Sequence, residues 1–138
     1  DTVTALALVA ELHDPRRFPS ARQLTAYLGL VPRESSSGSR RRLGGITGAG
    51  NRHVRRLLVE AAWHYRHKPQ IGRALRLRRR GQPPVVIALA DRALRRLTLR
   101  HRRMICQGRH PNTVSVAIAR ELAGHLWNAL QATTPARS

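Results

Sequence analysis

The sequence predicts a mainly α fold: a compact helical domain of about five helices, interrupted by one long segment at residues 29–50. Two observations predict it. Apolar residues recur with helical spacing through most of the chain, most clearly from Asn51 to about His67. Between residues 29 and 50 that period is lost, and Gly, Ser, Pro and Arg dominate. Such a segment is typical of a long loop or a short hairpin, and this length is uncommon unless it has a function.

The start of the chain predicts two helices ahead of that segment. Residues Thr4–Leu12 form an apolar helical pattern that stops near Pro15. Ser20 then stands at a predicted N-cap with Gln23 in the capping-box position, and Gly29 marks the predicted end of a short helix. The apolar face of this helix consists of Leu24, Tyr27 and Leu28.

Four helical or basic segments are predicted beyond residue 50. They are Asn51 to about His67, the short and very basic Ile71–Arg80, about Val85 to Cys106, and Thr113–Gln131. Gly81 separates the second from the third, and Gly108 with Pro111 ends the third. The predicted buried positions are Val54, Leu57, Leu58, Ala61, Ala62 and Tyr65 in the first, Val86, Leu89, Ala90, Ala93, Leu97 and Met104 in the third, and Val114, Ala117, Ile118, Leu122, Leu126 and Leu130 in the last.

The charge balance indicates a polyanionic partner. The 138 residues include 26 Lys plus Arg against 7 Asp plus Glu, a formal net charge of +19, and every basic residue except Lys68 is an arginine. Because the planar fork of arginine matches phosphate oxygens, nucleic acid is the predicted partner. Aromatic residues make up only 4%, too few for a surface on which single-stranded bases stack or for a membrane anchor. We therefore expect contacts with the nucleic-acid backbone.

Several classes of site and location are excluded by the same composition. No apolar run reaches the roughly 20 residues that span a bilayer, so a soluble protein without a membrane partner is expected. The single cysteine, Cys106, leaves no partner for an intramolecular disulfide and fits a reducing compartment. Metal-dependent nucleases need converging carboxylates, whereas the acidic residues here are scattered without paired spacing. No metal site is therefore predicted in this chain.

The long segment contains the candidate catalytic residues. A run of serines, Ser35, Ser36 and Ser37, is followed there by a run of arginines, Arg40, Arg41 and Arg42. A serine hydroxyl that attacks a phosphodiester needs cations against the charge that develops on the phosphate oxygens. The arginines would supply them, and Gly38 would let the backbone approach a phosphate closely. By composition alone, the alternative of a flexible linker stays open.

The end of this segment predicts a phosphate seat. Glycines lead into Gly50 and Asn51 ahead of a helix start, where free N–H groups and the positive end of the helix dipole attract anions. Asn51 is the predicted N-cap, and Arg52, Arg55 and Arg56 follow on the first turns. An ordinary glycine-rich turn is the alternative interpretation.

The run DPRRFPSARQLTAYLGLVPRESSSGSRRRLGGITGAGNRHVRRLLVEAAW, from Asp14 to Trp63, resembles the C-terminal domain of IS110/IS116-type insertion-sequence transposases. The motifs that carry the resemblance are a helix ending in AYLGLVPR, then SSG, an arginine-rich stretch, GGIT, GN and a basic helix. The ending VAIARELAGHLW, Val116–Trp127, resembles the final helix of that family. The resemblance thus covers nearly the whole chain.

The resemblance implies DNA transposition by a two-domain enzyme. An N-terminal resolvase-like domain, absent from this chain, carries four carboxylates and is where magnesium is expected; no cofactor is expected in the chain itself. The C-terminal domain supplies a serine that becomes covalently joined to the cut strand, a structured RNA guides recombination, and the active site is assembled between protomers of a homo-oligomer. A cytoplasmic, nucleoid-associated location of bacterial type follows from these roles.

Matching the SSG motif to this chain assigns the nucleophile to Ser37, with Ser36 as the alternative. Arg40, Arg41 and Arg42 are the candidates for holding the phosphate, together with Arg33. The chain departs from the family pattern at three positions. Ser35 precedes SSG in place of a histidine or an aromatic residue, and Ser39 replaces a glycine. Ala49, instead of a basic residue, precedes Gly50.

We expect residues 1–131 to form this C-terminal domain and residues 132–138 to form a frayed tail. The chain begins partway through an apolar helical pattern, which predicts a fragment. Because the carboxylate domain that the resemblance implies is not part of this sequence, we expect the fragment to bind nucleic acid but not to cut it unaided. Two alternatives to a catalytic serine domain stay open: a noncatalytic DNA- or RNA-binding module and a decayed transposase remnant.

Overall fold

The computed structural model describes residues 10–37, 40–46, 48 and 51–133. The described part is a mainly helical domain with one two-stranded antiparallel hairpin. Residues 10–12 are helical. The elements that follow are a 3-10 turn Pro15–Arg17, α1 (Ala21–Tyr27), β1 (Pro32–Ser37), β2 (Arg40–Ile46), α2 (Arg52–Ala62), a second 3-10 turn Trp63–Arg66, α3 (Arg73–Arg79), α4 (Pro84–Cys106) and α5 (Pro111–Thr133). The predicted mainly α fold is confirmed, and the segment at 29–50 contains a hairpin.

Helix α1 begins and ends as its sequence predicts. The Ser20 hydroxyl accepts a hydrogen bond from the backbone N–H of Gln23, 3.3 Å away, which satisfies one of the free donors of the first turn. At the other end Gly29 has φ 70°, a left-handed conformation that favours glycine. The N–H groups of Gly29 and Leu30 donate to the carbonyls of Ala26 and Thr25, each at 3.0 Å. This is the Schellman arrangement that closes a helix C-terminus.

Helix α5 is the centre of the domain, because α1, α2 and α4 all pack against it. The stripe predicted on α2 is confirmed, with Val54, Leu58 and Ala62 buried. The core cluster consists of Leu12, Phe18, Leu24, Leu28, Leu30, Val54, Leu58, Ala62, Ala93, Leu97, Val114, Ile118, Ala119, Leu122 and Ala123. Most of the described domain is therefore built around one apolar centre.

The prediction for α4 is wrong at Ala90, which is exposed. The buried residues of α4 begin only at Ala93 and continue through Leu97, Thr98 and His101. The first turns of this 23-residue helix therefore contain no fully buried residue, and the predicted Val86 and Leu89 are only half-buried there.

Three predicted boundaries also move. Helix α2 ends at Ala62 and continues as a 3-10 turn instead of an α-helix to His67. Pro111 begins α5 instead of ending the preceding helix, a position where the missing N–H of proline costs nothing. Helix α5 continues to Thr133, past the predicted end at Gln131. Residues 1–9 and 134–138 lie outside the described residues, and with them lies most of the predicted first helix and of the predicted tail.

In the described part of the chain, no helix combines the length and the apolar character that crossing a bilayer requires.

Candidate nucleic-acid interface

The hairpin brings the serine run and the arginine run of the sequence opposite each other. In the antiparallel register, Ser36 pairs with Arg41 and Ser37 pairs with Arg40. Ser35 pairs with Arg42 one rung further from the turn. The two candidate nucleophiles thus lie at the turn end of β1, directly across the ladder from two of the candidate phosphate-binding arginines. The sequence predicted the two runs but not this pairing.

The hairpin is anchored to the helical body at its base. The N–H of Gly48 donates to the carbonyl of Gly29 at 3.1 Å, and this bond joins the two ends of the segment. Leu28 and Leu30, on either side of Gly29, have no exposed surface. The base of the hairpin is therefore fixed to the core.

Arg55, predicted as a phosphate contact, is used in packing the body beneath the hairpin. Its Nη1 donates to the carbonyl oxygen of Leu28 at 3.1 Å, at the C-terminus of α1. The carbonyl groups of the last helical turn have no hydrogen-bond donor within the helix, and a cation near them interacts favourably with the helix dipole. Arg55 thus joins α2 to the end of α1.

Asn51 is the N-cap of α2, as predicted, and it has a second contact that the sequence does not reveal. Its Oδ1 accepts from the N–H of Val54 at 3.0 Å, and its Nδ2 donates to Oε2 of Glu11 at 2.7 Å. The Glu11 carboxylate therefore lies at the N-terminus of α2, where negative charge is favourable. This position was the predicted seat for a phosphate, so part of its positive potential is already neutralised. Glu11 was missed because it lies 40 residues away in the chain.

The other predicted residues of the seat are exposed or outside the described part. Arg52 and Arg56 are exposed on the first turns of α2. Nε of Arg56 lies 3.9 Å from Oε1 of Glu60, an exposed pair that contributes little to stability. Gly50 lies outside the described residues, as do the side chains of Ser36, Ser37, Arg33, Arg40, Arg41 and Arg42. Their roles stay predictions.

A second basic surface, which sequence reasoning missed, is an open groove of about 990 Å³ between α1, α4 and α5. We call it the arginine groove. Five arginines and a single glutamate line it, together with His125 and small or polar residues. The arginines are Arg22 of α1, Arg92, Arg96 and Arg100 of α4, and Arg120 of α5. The only sequence signal was the i, i+4, i+8 spacing of the three in α4, because the walls come from three separate helices.

Glu121 organises one side of the groove. Its Oε1 accepts from Nε of Arg96, and its Oε2 accepts from Nη1 of Arg100 at 2.6 Å. Burial opposes ionisation of Glu121, but the hydrogen bonds and charges of the two arginines outweigh it and lower the pKa of this carboxyl. Glu121 is therefore ionised at neutral pH and links α4 to α5.

His125 lies one turn further along α5. Its Nε2 is 3.9 Å from Oε1 of Glu121, and this buried nitrogen has no hydrogen-bond partner among the described residues. Burial lowers the pKa of His125, and the positive charges of Arg96 and Arg92 lower it further, against the opposite effect of Glu121. The ring is therefore neutral at pH 7.

Comparison with known proteins decides the family. A family model described as "Transposase IS116/IS110/IS902 family" matches residues 1–77, more than half of the chain, and this range includes the hairpin and α2. The chain belongs to this transposase family. The resemblance inferred from the motifs between Asp14 and Trp63 is thereby confirmed at the level of the family.

The curated proteins that are similar to this chain are named as transposases. The protein named "Putative transposase y4qE" of Sinorhizobium fredii is 45% identical over 127 residues, which are 92% of this chain and 33% of that protein. The transposase for insertion sequence element IS1328 of Yersinia enterocolitica is 35% identical over 128 residues, 91% of this chain and 31% of that protein. The transposase for insertion sequence element IS1111A of Coxiella burnetii is 36% identical over 97 residues, which are 65% of this chain and 27% of that protein. The chain spans about a third of the length of these relatives.

Proposed function

We propose that this chain acts in DNA transposition as the part of an insertion-sequence transposase that supplies a serine nucleophile, Ser37, with Ser36 as the alternative. The observation that carries the proposal is the hairpin register, in which Ser37 pairs with Arg40 and Ser36 pairs with Arg41. Membership of the IS116/IS110/IS902 transposase family supports the same assignment.

The reaction proposed is a transesterification at phosphorus. The serine oxygen forms a bond to the phosphorus atom of a DNA strand while the bond from phosphorus to one flanking sugar oxygen breaks. The serine proton goes to a base, and the released sugar oxygen takes up a proton. Because one phosphodiester replaces another, the covalent intermediate keeps the energy needed for rejoining the strand to a new end. Guanidinium groups across the ladder would stabilise the charge on the phosphate oxygens.

Charge supports a nucleic-acid partner for this reaction. The chain has a formal net charge of +19, and nearly all of its basic residues are arginines. A surface of this charge favours binding of a polyanion. We propose DNA as the substrate, a structured guide RNA as a further partner and a homo-oligomer as the working state, the last two on the strength of the family resemblance.

The proposal gives no metal-binding role to the described residues of this chain. No three His, Cys, Asp or Glu side chains in the described part lie close enough together to hold a metal ion. The reaction steps that we assign to this chain therefore involve only its own hydroxyl and guanidinium groups.

The proposal is tested with the intact transposase that contains this chain, its guide RNA, magnesium and a nicked suicide DNA that traps the covalent intermediate. We expect wild-type protein to form a DNA–peptide adduct, which mass spectrometry maps to Ser37. The substitution Ser37→Ala should abolish the adduct and leave the dissociation constant for the same DNA within about twofold, because a hydroxyl contributes little to backbone binding.

Ser35→Ala is the matched control, since it removes a hydroxyl from the same strand and should leave adduct formation intact. An adduct on Ser36 would move the nucleophile by one residue. The absence of any adduct from wild-type protein that binds the DNA would contradict catalysis and leave the noncatalytic binding module.

A further inference from the structure

We propose that the arginine groove is a second binding site, which takes the sugar–phosphate backbone of a nucleic acid along a track that begins at the base of the hairpin. Val31, the residue that precedes β1, belongs to the groove lining, so the groove and the hairpin base are continuous. The inference deepens the proposed function and rests on it for the choice of nucleic acid as partner.

The first reason is the excess of positive charge. Five arginines face one carboxylate in the lining, and Glu121 already neutralises part of the charge of Arg96 and Arg100. The guanidinium groups of the other three, Arg22, Arg92 and Arg120, make no hydrogen bond or ion pair with the described residues. Like charges gathered in one groove repel one another, and an anion bound there would relieve that repulsion.

The second reason is the arrangement of the arginines. Arg92, Arg96 and Arg100 are spaced by four residues along α4, and each step of four residues advances about 6 Å along a helix. They therefore form a row along one wall, while Arg22 of α1 and Arg120 of α5 stand on the other walls. A row of cations matches an extended polyanion with regularly spaced phosphates better than a single small anion.

The third reason concerns what the groove lacks. No Phe, Tyr or Trp side chain is part of its described lining, so it lacks the row of large aromatic rings on which successive unpaired bases stack. Arginine forks bind phosphate oxygens without reading the base. The ligand is therefore the backbone of a duplex or of a folded RNA, and its binding should not depend on sequence.

The experiment compares two variants of the 138-residue chain that lose equal charge. The groove variant is Arg92→Gln with Arg120→Gln. The control is Arg102→Gln with Arg103→Gln, two exposed arginines of α4 that lie outside the groove. The probes are a mixed-sequence duplex DNA and an RNA hairpin. Fluorescence anisotropy gives the dissociation constant of each between 50 and 200 mM salt, and circular dichroism verifies that each variant is folded.

Each phosphate contact contributes about 0.9 to the slope of log affinity against log salt on duplex DNA. Loss of two contacts should therefore reduce the slope by about 1.8, so that the fall in affinity between 50 and 200 mM salt becomes about 12-fold smaller. The control variant should keep the wild-type slope. Conversely, Glu121→Gln removes the only carboxylate of the described lining and should make the slope steeper.

A reduced slope on duplex DNA alone identifies DNA as the ligand, and a reduced slope on RNA alone identifies RNA; either result supports the site. Equal slopes for the groove and control variants on both probes would overturn it. These outcomes are independent of the serine reaction, because Ser37→Ala should leave every slope unchanged.

Discussion

Replacing Asn51 by alanine removes two contacts at the point where the hairpin returns to the helical body. The Oδ1 of Asn51 caps α2 through the N–H of Val54, and its Nδ2 binds the carboxylate of Glu11. Alanine keeps neither contact. It leaves one free donor in the first turn of α2 and leaves the half-buried Glu11 without its amide partner.

The expected loss of unfolding free energy follows from these two contacts. Loss of an N-cap costs about 1 kcal/mol. A hydrogen bond to a charged group is worth about 1.5 kcal/mol or more. We therefore expect Asn51→Ala to destabilise the domain by about 2.5 kcal/mol, which corresponds to a fall of roughly 10 °C in melting temperature at this chain length. Ser20→Ala is the matched control, because Ser20 only caps its helix, and it should cost about 1 kcal/mol.

A second substitution separates the two contacts. Asn51→Asp keeps an oxygen for the N–H of Val54 but places a carboxylate against Oε2 of Glu11. Like charges at this distance repel, so the variant should be less stable than wild type at pH 7.

Both variants are measured by urea unfolding followed by circular dichroism. If Asn51→Ala loses less than about 0.5 kcal/mol, or if Asn51→Asp is as stable as wild type at pH 7, then the link between Glu11 and α2 is not a structural one. Asn51 would in that case be free to contact phosphate, as the glycine-rich sequence ahead of it first indicated.

Two further predictions concern other contacts of the body. The indole Nε1 of Trp127 donates to the carbonyl of Phe18 at 2.9 Å, so Trp127→Phe should cost about 1 kcal/mol and about 4 °C in melting temperature, whereas the control Trp63→Phe removes no such bond; equal losses would refute the role. Burial lowers the pKa of both His101 and His125 in the folded state. Below the unfolded pKa of about 6.5 the unfolded chain therefore binds more protons, so stability is full above that pH and falls as the pH drops toward the folded values. The urea midpoint should be lower at pH 5.5 than at pH 7.5, and His101→Gln with His125→Gln should reduce this difference; an unchanged midpoint in wild type would contradict it.

The local features of this domain could be predicted from sequence because they depend on neighbours in the chain. Ser20 and Asn51 cap their helices by bonds that span three residues, and Gly29 ends α1 through its left-handed conformation. The apolar stripe of α2 follows directly from helical period. The motif around Ser37 identified the family for the same reason, since it is a string of adjacent residues.

An error arose where a helix extends past the apolar core along part of its length. Ala90 fits the apolar period of α4, but the first turns of that helix extend past the core, so the residue is exposed. Periodicity states which face a helix would bury; it does not state how far the neighbouring helix reaches.

Two features of the arginine arrangement depend on tertiary structure alone. Arg55 looked free for phosphate in the sequence, yet it binds Leu28, 27 residues earlier, because the end of α1 leaves a carbonyl that needs a donor. Arg22 and Arg120 gave no signal as a pair, yet packing of α1 and α5 places them in one groove with the arginine row of α4. Composition was sufficient to show that the protein is strongly basic, and binding of a polyanion stays a prediction. Where its charge is neutralised internally and where it stays available is set by which helices pack together, because electrostatic interaction depends on distance in space and not on separation along the chain.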